Sequence, residues 1–288
     1  PSRVDVASMF VHQFPENDLS RKQCAARGVP MFPTVREALT LGGKDLAVDG
    51  VALIGEHGNY HTNIQGQKYY PRWWLYQQIV SVFRRSRRAA PVFNDKHLST
   101  DWDEAKWMYD QSRELQFPLM AGSSIPVCHR DPQLELDLDT PLERAVVISN
   151  GDKEGYGFHG LETLQCMAER RRGGETGVAS VQCIEGSEVW TWTDKHSWAQ
   201  PLLDAALARC ADIKTGNVRE NVRAPFVFII EHHDGFQAAM YTLNGIGERW
   251  WAFAGKIQGQ AEPVSTHFWF NYTRGKYLGS STFVHYIT

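Results

Sequence analysis

The sequence predicts two fold classes in series: an α/β half built on parallel βαβ units, then an α+β half built on a mostly antiparallel open sheet. Three observations carry this. Short apolar runs alternate with amphipathic segments of helix length as far as Asp131. The alternation stops at an acidic, proline-bounded connector, DPQLELDLDTPLE. After the connector, one helix leads into a series of strand candidates and turn signals. The division expected is residues 1–130 and 131–288, each long enough to bury its own core.

The first half opens on a strand from Val4 to Val11, a helix from Leu19 to Arg27 and a short strand in GVPMFP. PTVREALTL starts a helix, with Thr34 as cap and Glu37 three residues on. Val48 to Ile54 is a buried strand. Arg72 to Arg84 carries apolar side chains at helical spacing. A strand from Ala90 to Phe93, a helix from Thr100 to Leu115 and a strand from Phe117 to Ala121 complete it.

In the second half, GFHGLETLQCMAERRR is a helix. The strand candidates are Gly177 to Ile184, Glu188 to Thr193, Phe226 to His232, Phe236 to Leu243, Arg249 to Ala254 and Thr266 to Tyr272. Gly186-Ser187 and Asp234-Gly235 are hairpin-type turns. A helix from Trp198 to Cys210 interrupts the strands, and the helices are expected on one face of the sheet.

A net charge of -3 argues against nucleic-acid binding through bulk charge. The basic runs at Arg84–Arg88 and Arg170–Arg172 read as solvated helix ends. Five dispersed cysteines with no Cys-x-x-Cys pair suggest buried thiols in a reducing compartment. No apolar run has the length of a membrane span, and PSRVDVASMFV carries no export pattern, so a cytoplasmic location is expected. Trp73, Trp74, Trp102 and Trp107 are expected to pack, whereas Trp190, Trp192, Trp250 and Trp251 on the sheet could form a dimer face.

Two strands end in ionisable clusters: Glu56, His57 and His61 after one, and Asp95, Lys96 and His97 after the next. In an open α/β sheet such carboxyl ends border the ligand crevice. Ser123 and Ser124 close a third strand without a G-x-S-x-G elbow, which argues against a serine hydrolase. On the helix after the connector, His159 and Glu162 share one face, with Tyr156 a turn before. Neutral imidazoles with carboxylates ligate zinc, manganese or iron, so His57, Asp95, His97 and His159 form a candidate metal set. Lys96, His159 and Glu162 are the candidate catalytic groups, and Glu56, His61, Ser123, Ser124 and Tyr156 the candidate substrate contacts. Glu231-His232-His233-Asp234 reads instead as a solvated turn.

VDGVALIGEHGNYH, VFNDKHLSTDWDEAKWMYDQSRELQFPLMAGSSIPV and GYGFHGLETL together resemble the Gfo/Idh/MocA family of sugar and polyol dehydrogenases, over Val4 to Arg172. The resemblance implies an incomplete Rossmann-like domain followed by an open-sheet domain, and a homodimer. It places the family's Glu-Lys-Pro on Asp95-Lys96-His97, and its Asp-x-Gly-x-His-x-x-Asp on Gly155, Gly157, His159 and Glu162. The expected first strand and G-x-G-x-x-G turn have no counterpart before Val4, and no acidic residue directly follows Val11. Another segment or subunit is expected in place of that strand. Ordinary NAD(P) binding is therefore not expected, nor is a long closing helix at the C-terminus.

The reading is an enzyme acting on a sugar-like or lactone-like small molecule by metal-assisted or acid/base chemistry, of hydrolase or lyase type. Its alternatives are an NAD(P)-dependent sugar or polyol oxidoreductase and a non-catalytic binding protein.

Overall fold

The first unit of the chain runs to Ser123, and its strands are all parallel. Its elements are β1 (Met9–Phe10), α1 (Ser20–Arg27), β2 (Met31–Phe32), α2 (Val35–Thr40), β3 (Val51–Leu53), α3 (Arg72–Ser86), β4 (Val92–Asp95), α4 (Trp102–Glu114) and β5 (Leu119–Gly122). The computed structural model describes residues 4–210, 213–247 and 251–269. The strands form two ladders, β1–β2 and β3–β4–β5. These are the parallel strands that the alternating pattern predicts, in the incomplete Rossmann-like form that the resemblance implies. The strand expected from Val4 to Val11 contracts to the two residues that pair with β2.

Local chemistry sets the helix starts. Thr34 Oγ1 accepts from the Glu37 amide at 3.1 Å, and Asp101 Oδ1 accepts from the Glu104 amide at 3.1 Å, each satisfying an amide that the first turn leaves unpaired. Helices α3 and α4 pack on the sheet through Ile79, Val80, Phe83 and Met108, and Tyr76 donates its buried hydroxyl to the Met108 carbonyl. Arg84 bonds Gln111 and Glu114, and Arg88 bonds Asp49, which makes the first basic run a set of helix-end ion pairs. Trp73 and Trp107 pack against the core, while Trp74 and Trp102 are exposed.

The second unit, from Ser124 onward, holds β6 (His129–Asp131), β7 (Leu142–Ser149), α5 (Lys153–Ala168), β8 (Val178–Glu185), α6 (Glu188–Lys195), α7 (Ala199–Leu207), α8 (Val218–Asn221), β9 (Arg223–His232), β10 (Gln237–Asn244), β11 (Trp251–Ile257) and β12 (Val264–Trp269). The sheet order is β6-β12-β11-β7-β10-β9-β8, antiparallel except for the β7–β10 pair. Strand β7 lies at its centre, with Val146, Val147 and Ile148 fully buried, each worth about 1.5–3 kcal/mol against exposure.

Several expectations need correction. Helices cover both faces of this sheet: α5 lies over Val147 and Met240, and α7 lies over Val146, Ile148 and Tyr241. Glu188 to Thr193 is helix, because its buried side chains, Val189 and Thr193, are four residues apart. Gly186-Ser187 therefore opens a helix, whereas Asp234-Gly235 does turn a hairpin between β9 and β10. The turn at Glu231–Asp234 is less solvated than expected: His232 is buried, and Asp234 pairs with the buried Arg171 at 2.9 Å. Trp190 and Trp192 lie on α6, and Trp251 is buried in the core, so none of them forms an exposed sheet face. Trp250, Arg249, Tyr272 and the chain end expected to lack a closing helix lie outside the described residues. Among the described residues no helix is long and apolar enough to cross a membrane.

Helix α5 approaches the sheet most closely at Gly160, where an added Cβ would sit 2.8 Å from Met240 Sδ and 3.0 Å from Ser149 Oγ. Gly160→Ala should destabilise the protein by about 1–3 kcal/mol, read as a lower denaturation midpoint with an unchanged slope. A second test uses His267, buried in β12, whose imidazole is pushed down to about 4 by burial. Its folded pKa lies below its unfolded value, so the unfolded chain takes up the proton first as pH falls. Stability should drop between about pH 6.5 and 4, by up to about 1.4 kcal/mol per pH unit, and His267→Gln should flatten that slope in pH-dependent urea melts.

Candidate functional site

The parallel strands β3, β4 and β5 bring three carboxyl ends side by side, and β4 in the middle is buried along its whole length. A polar residue at the end of such a strand must find partners inside the protein. Asn94 is fully buried, and its Nδ2 donates to the carbonyls of Asp95, Lys96 and His97 at 3.4, 3.3 and 3.2 Å. The chain turns at Lys96, whose φ is 71°, in the left-handed region. The Lys96 amide still donates to the Gly122 carbonyl at 2.9 Å. In a continuing strand, successive side chains point to opposite faces. The turn instead brings Lys96 Nζ back onto both oxygens of Asp95, at 3.0 and 2.8 Å.

A second ion pair spans the ends of β3 and β4. Arg72, the first residue of α3, is buried, and it donates through Nη2 to Glu56 and through Nη1 to His97 Nε2 at 3.1 Å. A guanidinium has no lone pair to offer, so His97 Nε2 is the acceptor and the imidazole is neutral at that nitrogen. The guanidinium carbon lies 4.8 Å from the Tyr70 ring centre. Burial pushes the Tyr70 hydroxyl up, and Glu56 beside it adds in the same direction. Gly55 accommodates the arginine stem: a Cβ there would lie 2.9 Å from Arg72 Cγ.

The loop after β3 is tied to the end of β1. Gln13 Oε1 accepts from the Asn59 amide at 2.8 Å, Gln13 Nε2 donates to the Asn59 carbonyl at 3.2 Å, and His12 Nδ1 and Tyr60 Oη are 2.9 Å apart. His57 and His61 on this loop are exposed, and His57 has a φ of 64°. Ser123 is buried at the end of β5, and Ser124 opens a 3-10 turn in the second unit.

In the second unit, Asp152 caps α5 by accepting from the Gly155 amide. One face of the helix then presents Tyr156, His159 and Glu162. His159 Nδ1 lies 3.8 Å from Glu162 Oε2, and its ring meets Trp251 edge-on at 6.0 Å and Tyr156 at 6.0 Å. An open groove of about 830 Å³ elsewhere in this unit, bordered by Arg144, Trp198 and Lys256, includes none of the sequence-predicted site residues.

The structure thus brings Glu56, Asp95, Lys96 and His97 together, and separately Tyr156, His159 and Glu162. Arg72 and Asn94 organise the first group and were not singled out from the sequence. Arg72 reads there only as a helix start and Asn94 only as part of a strand end. The metal set His57, Asp95, His97 and His159 is corrected. Asp95 is bonded to Lys96, the Nε2 lone pair of His97 faces Arg72, and His57 is exposed. No group of three or more His, Cys, Asp or Glu side chains among the described residues could hold a metal ion.

The fold is that of the Gfo/Idh/MocA-type dehydrogenases. A UDP-N-acetylglucosamine 3-dehydrogenase, GnnA from Acidithiobacillus ferrooxidans, superposes with a TM-score of 0.51 at 13% identity, over 91% of this chain and 68% of that one. The dehydrogenase MviM from Clostridium difficile gives 0.50 at 8% identity, over 85% of this chain and 64% of that one. GenD2 from gentamicin A biosynthesis, in complex with NAD, gives 0.50 at 15% identity, over 88% and 63%. The chain thus spans less than two thirds of the length of MviM and of GenD2. Neither a protein-family model nor a curated protein sequence matches it.

These likenesses overturn two expectations. The metal-assisted hydrolase or lyase reading gives way, because the similar structures are dehydrogenases. The expectation against NAD(P) gives way as well, because one of them holds NAD.

Two substitutions test the site's construction. Lys96→Gly should be more stable than Lys96→Ala by about 1 kcal/mol in chemical denaturation, since only glycine adopts a φ of 71° without a Cβ penalty. Arg72→Met should destabilise by about 3 kcal/mol by stranding Glu56, and adding Glu56→Gln should recover part of the loss.

Proposed function

We propose that the protein is an NAD(P)-dependent oxidoreductase acting on a hydroxyl group of a sugar-like or polyol small molecule. The observation that carries this reading is the ion-paired Lys96 at the carboxyl end of the middle parallel strand β4, the position that the sequence resemblance assigns to the catalytic lysine. The dehydrogenase-type fold supports it.

The donor set at the strand ends suits a dinucleotide. Lys96 and the Ser123 hydroxyl are groups that hydrogen-bond ribose hydroxyls and a carboxamide, and the carboxyl ends of parallel strands are where such ligands bind. The nicotinamide, when bound, supplies the hydride acceptor. Lys96 Nζ, drawn onto Asp95, would hold the substrate oxygen and relay its proton to that carboxylate. His159 is a second proposed proton-handling group, its ring packed against Trp251 and Tyr156 and its Nδ1 3.8 Å from Glu162 Oε2. Glu56 is a proposed substrate contact in the first unit. A homodimer remains part of the proposal, resting on the resemblance and open to sedimentation analysis.

Titration with NADH and NADPH, followed by nucleotide fluorescence, should show micromolar binding. With a panel of free and nucleotide-linked sugars, NAD(P)-linked turnover is expected. Lys96→Ala and His159→Ala should each lower kcat by about a hundredfold or more with nucleotide binding retained. No nucleotide binding and no turnover across the panel would sink the reading.

A further inference from the structure

We propose that Asn94 is a positioning residue for Lys96: its side-chain amide locks the turn that aims the lysine at Asp95. The proposal takes its meaning for turnover from the oxidoreductase reading above, while its structural content stands apart from it.

Three facts meet at this residue. Asn94 is fully buried near the carboxyl end of the middle parallel strand, where an apolar side chain would be the ordinary occupant. Its Nδ2 faces three successive carbonyls, those of Asp95, Lys96 and His97, and its Oδ1 is buried with no hydrogen-bond partner. The turn it faces holds Lys96 in the left-handed region without being glycine.

The orientation of the amide is fixed by chemistry. Turned the other way, Oδ1 would point at three carbonyl oxygens, acceptor against acceptor. An aspartate could not take the place, because it would bring the same repulsion with a charge. A leucine would fill the volume and offer the three carbonyls no donor. Asparagine is the side chain of this size that donates toward the carbonyls.

The conformation has a purpose that the ion pair displays. Residues adjacent in a strand point apart, so Asp95 and Lys96 could not meet if β4 ran on. The left-handed residue reverses the chain and puts the ammonium on both carboxylate oxygens. Such a conformation in a lysine persists only where its surroundings hold it. The Asn94 amide from within and the Lys96 amide bond to Gly122 supply that hold.

The test uses the whole chain with Asn94→Ala and the milder Asn94→Ser, which keeps one donor, so that a folded variant is available. In wild type, backbone couplings of isotope-labelled protein should report a positive φ at Lys96, and a proton-nitrogen spectrum should show a Lys96 ammonium protected from exchange. Asn94→Ala should lose both signatures and lower kcat by about a hundredfold, with KM for nucleotide held within about threefold. Asn94→Ser should fall between. A variant lacking the Asn94 amide that keeps the positive φ and the protected ammonium overturns the proposal. Absence of NAD(P)-linked turnover from wild type would instead count against the oxidoreductase reading, and the two spectroscopic signatures would still decide the role of Asn94.

Discussion

Charge can sit at the buried ends of β3 and β4 only because each charge has its opposite within bonding distance. Arg72 has Glu56, and Lys96 has Asp95. An unpaired ion in such a place would cost several kcal/mol, so both pairs constrain the loops that carry them. The Arg72 pair draws the segment after β3 against the start of α3 and fixes the ring of His97. The Lys96 pair requires the chain to reverse directly after β4. Gly55, Tyr70, Asn94 and Gly122 take their places around these two demands.

The same accounting decides what the cluster can do. A metal ion would compete for the lone pairs that hold these ion pairs. Here the carboxylate of Asp95 accepts from Lys96, that of Glu56 accepts from Arg72, and Nε2 of His97 accepts from Arg72. What the cluster offers a ligand is mainly donors, the Lys96 ammonium beside Asp95 among them.

Much of this could be read in the sequence. The parallel pattern, the Thr34 cap, the α3 and α5 helices and the clustering of Asp95, Lys96 and His97 all follow from spacing and residue type. Other features depend on contacts between segments distant in sequence. Arg72 looks like an ordinary helix start until the loop from Gly55 to Pro71 returns Glu56 to it. Strand β7 is hidden behind an acidic connector, and its apolar run from Ala145 to Ile148, buried throughout, has no alternation to mark it. Glu188 to Thr193 is rich in residues that favour strands, yet Val189 and Thr193 reach the core only as a helix, with Thr193 bonded to Tyr241 at 2.9 Å. Tertiary burial overrides local preference in that segment.

The two groups of candidate residues are built by opposite means, and the difference bears on how each tolerates change. His159 projects from a regular helix whose position is set by apolar packing and by the close approach at Gly160. Its placement therefore follows from the stability of the second unit as a whole. Lys96 projects from a turn that its own residue type disfavours and that polar contacts alone maintain. A glycine would relax the backbone there and remove the ammonium. The chain keeps a side chain that works against local stability at the end of its most buried parallel strand. Beside the two matched ion pairs, Arg72 with Glu56 and Lys96 with Asp95, that conflict marks Lys96 as the residue whose conformation its surroundings must hold.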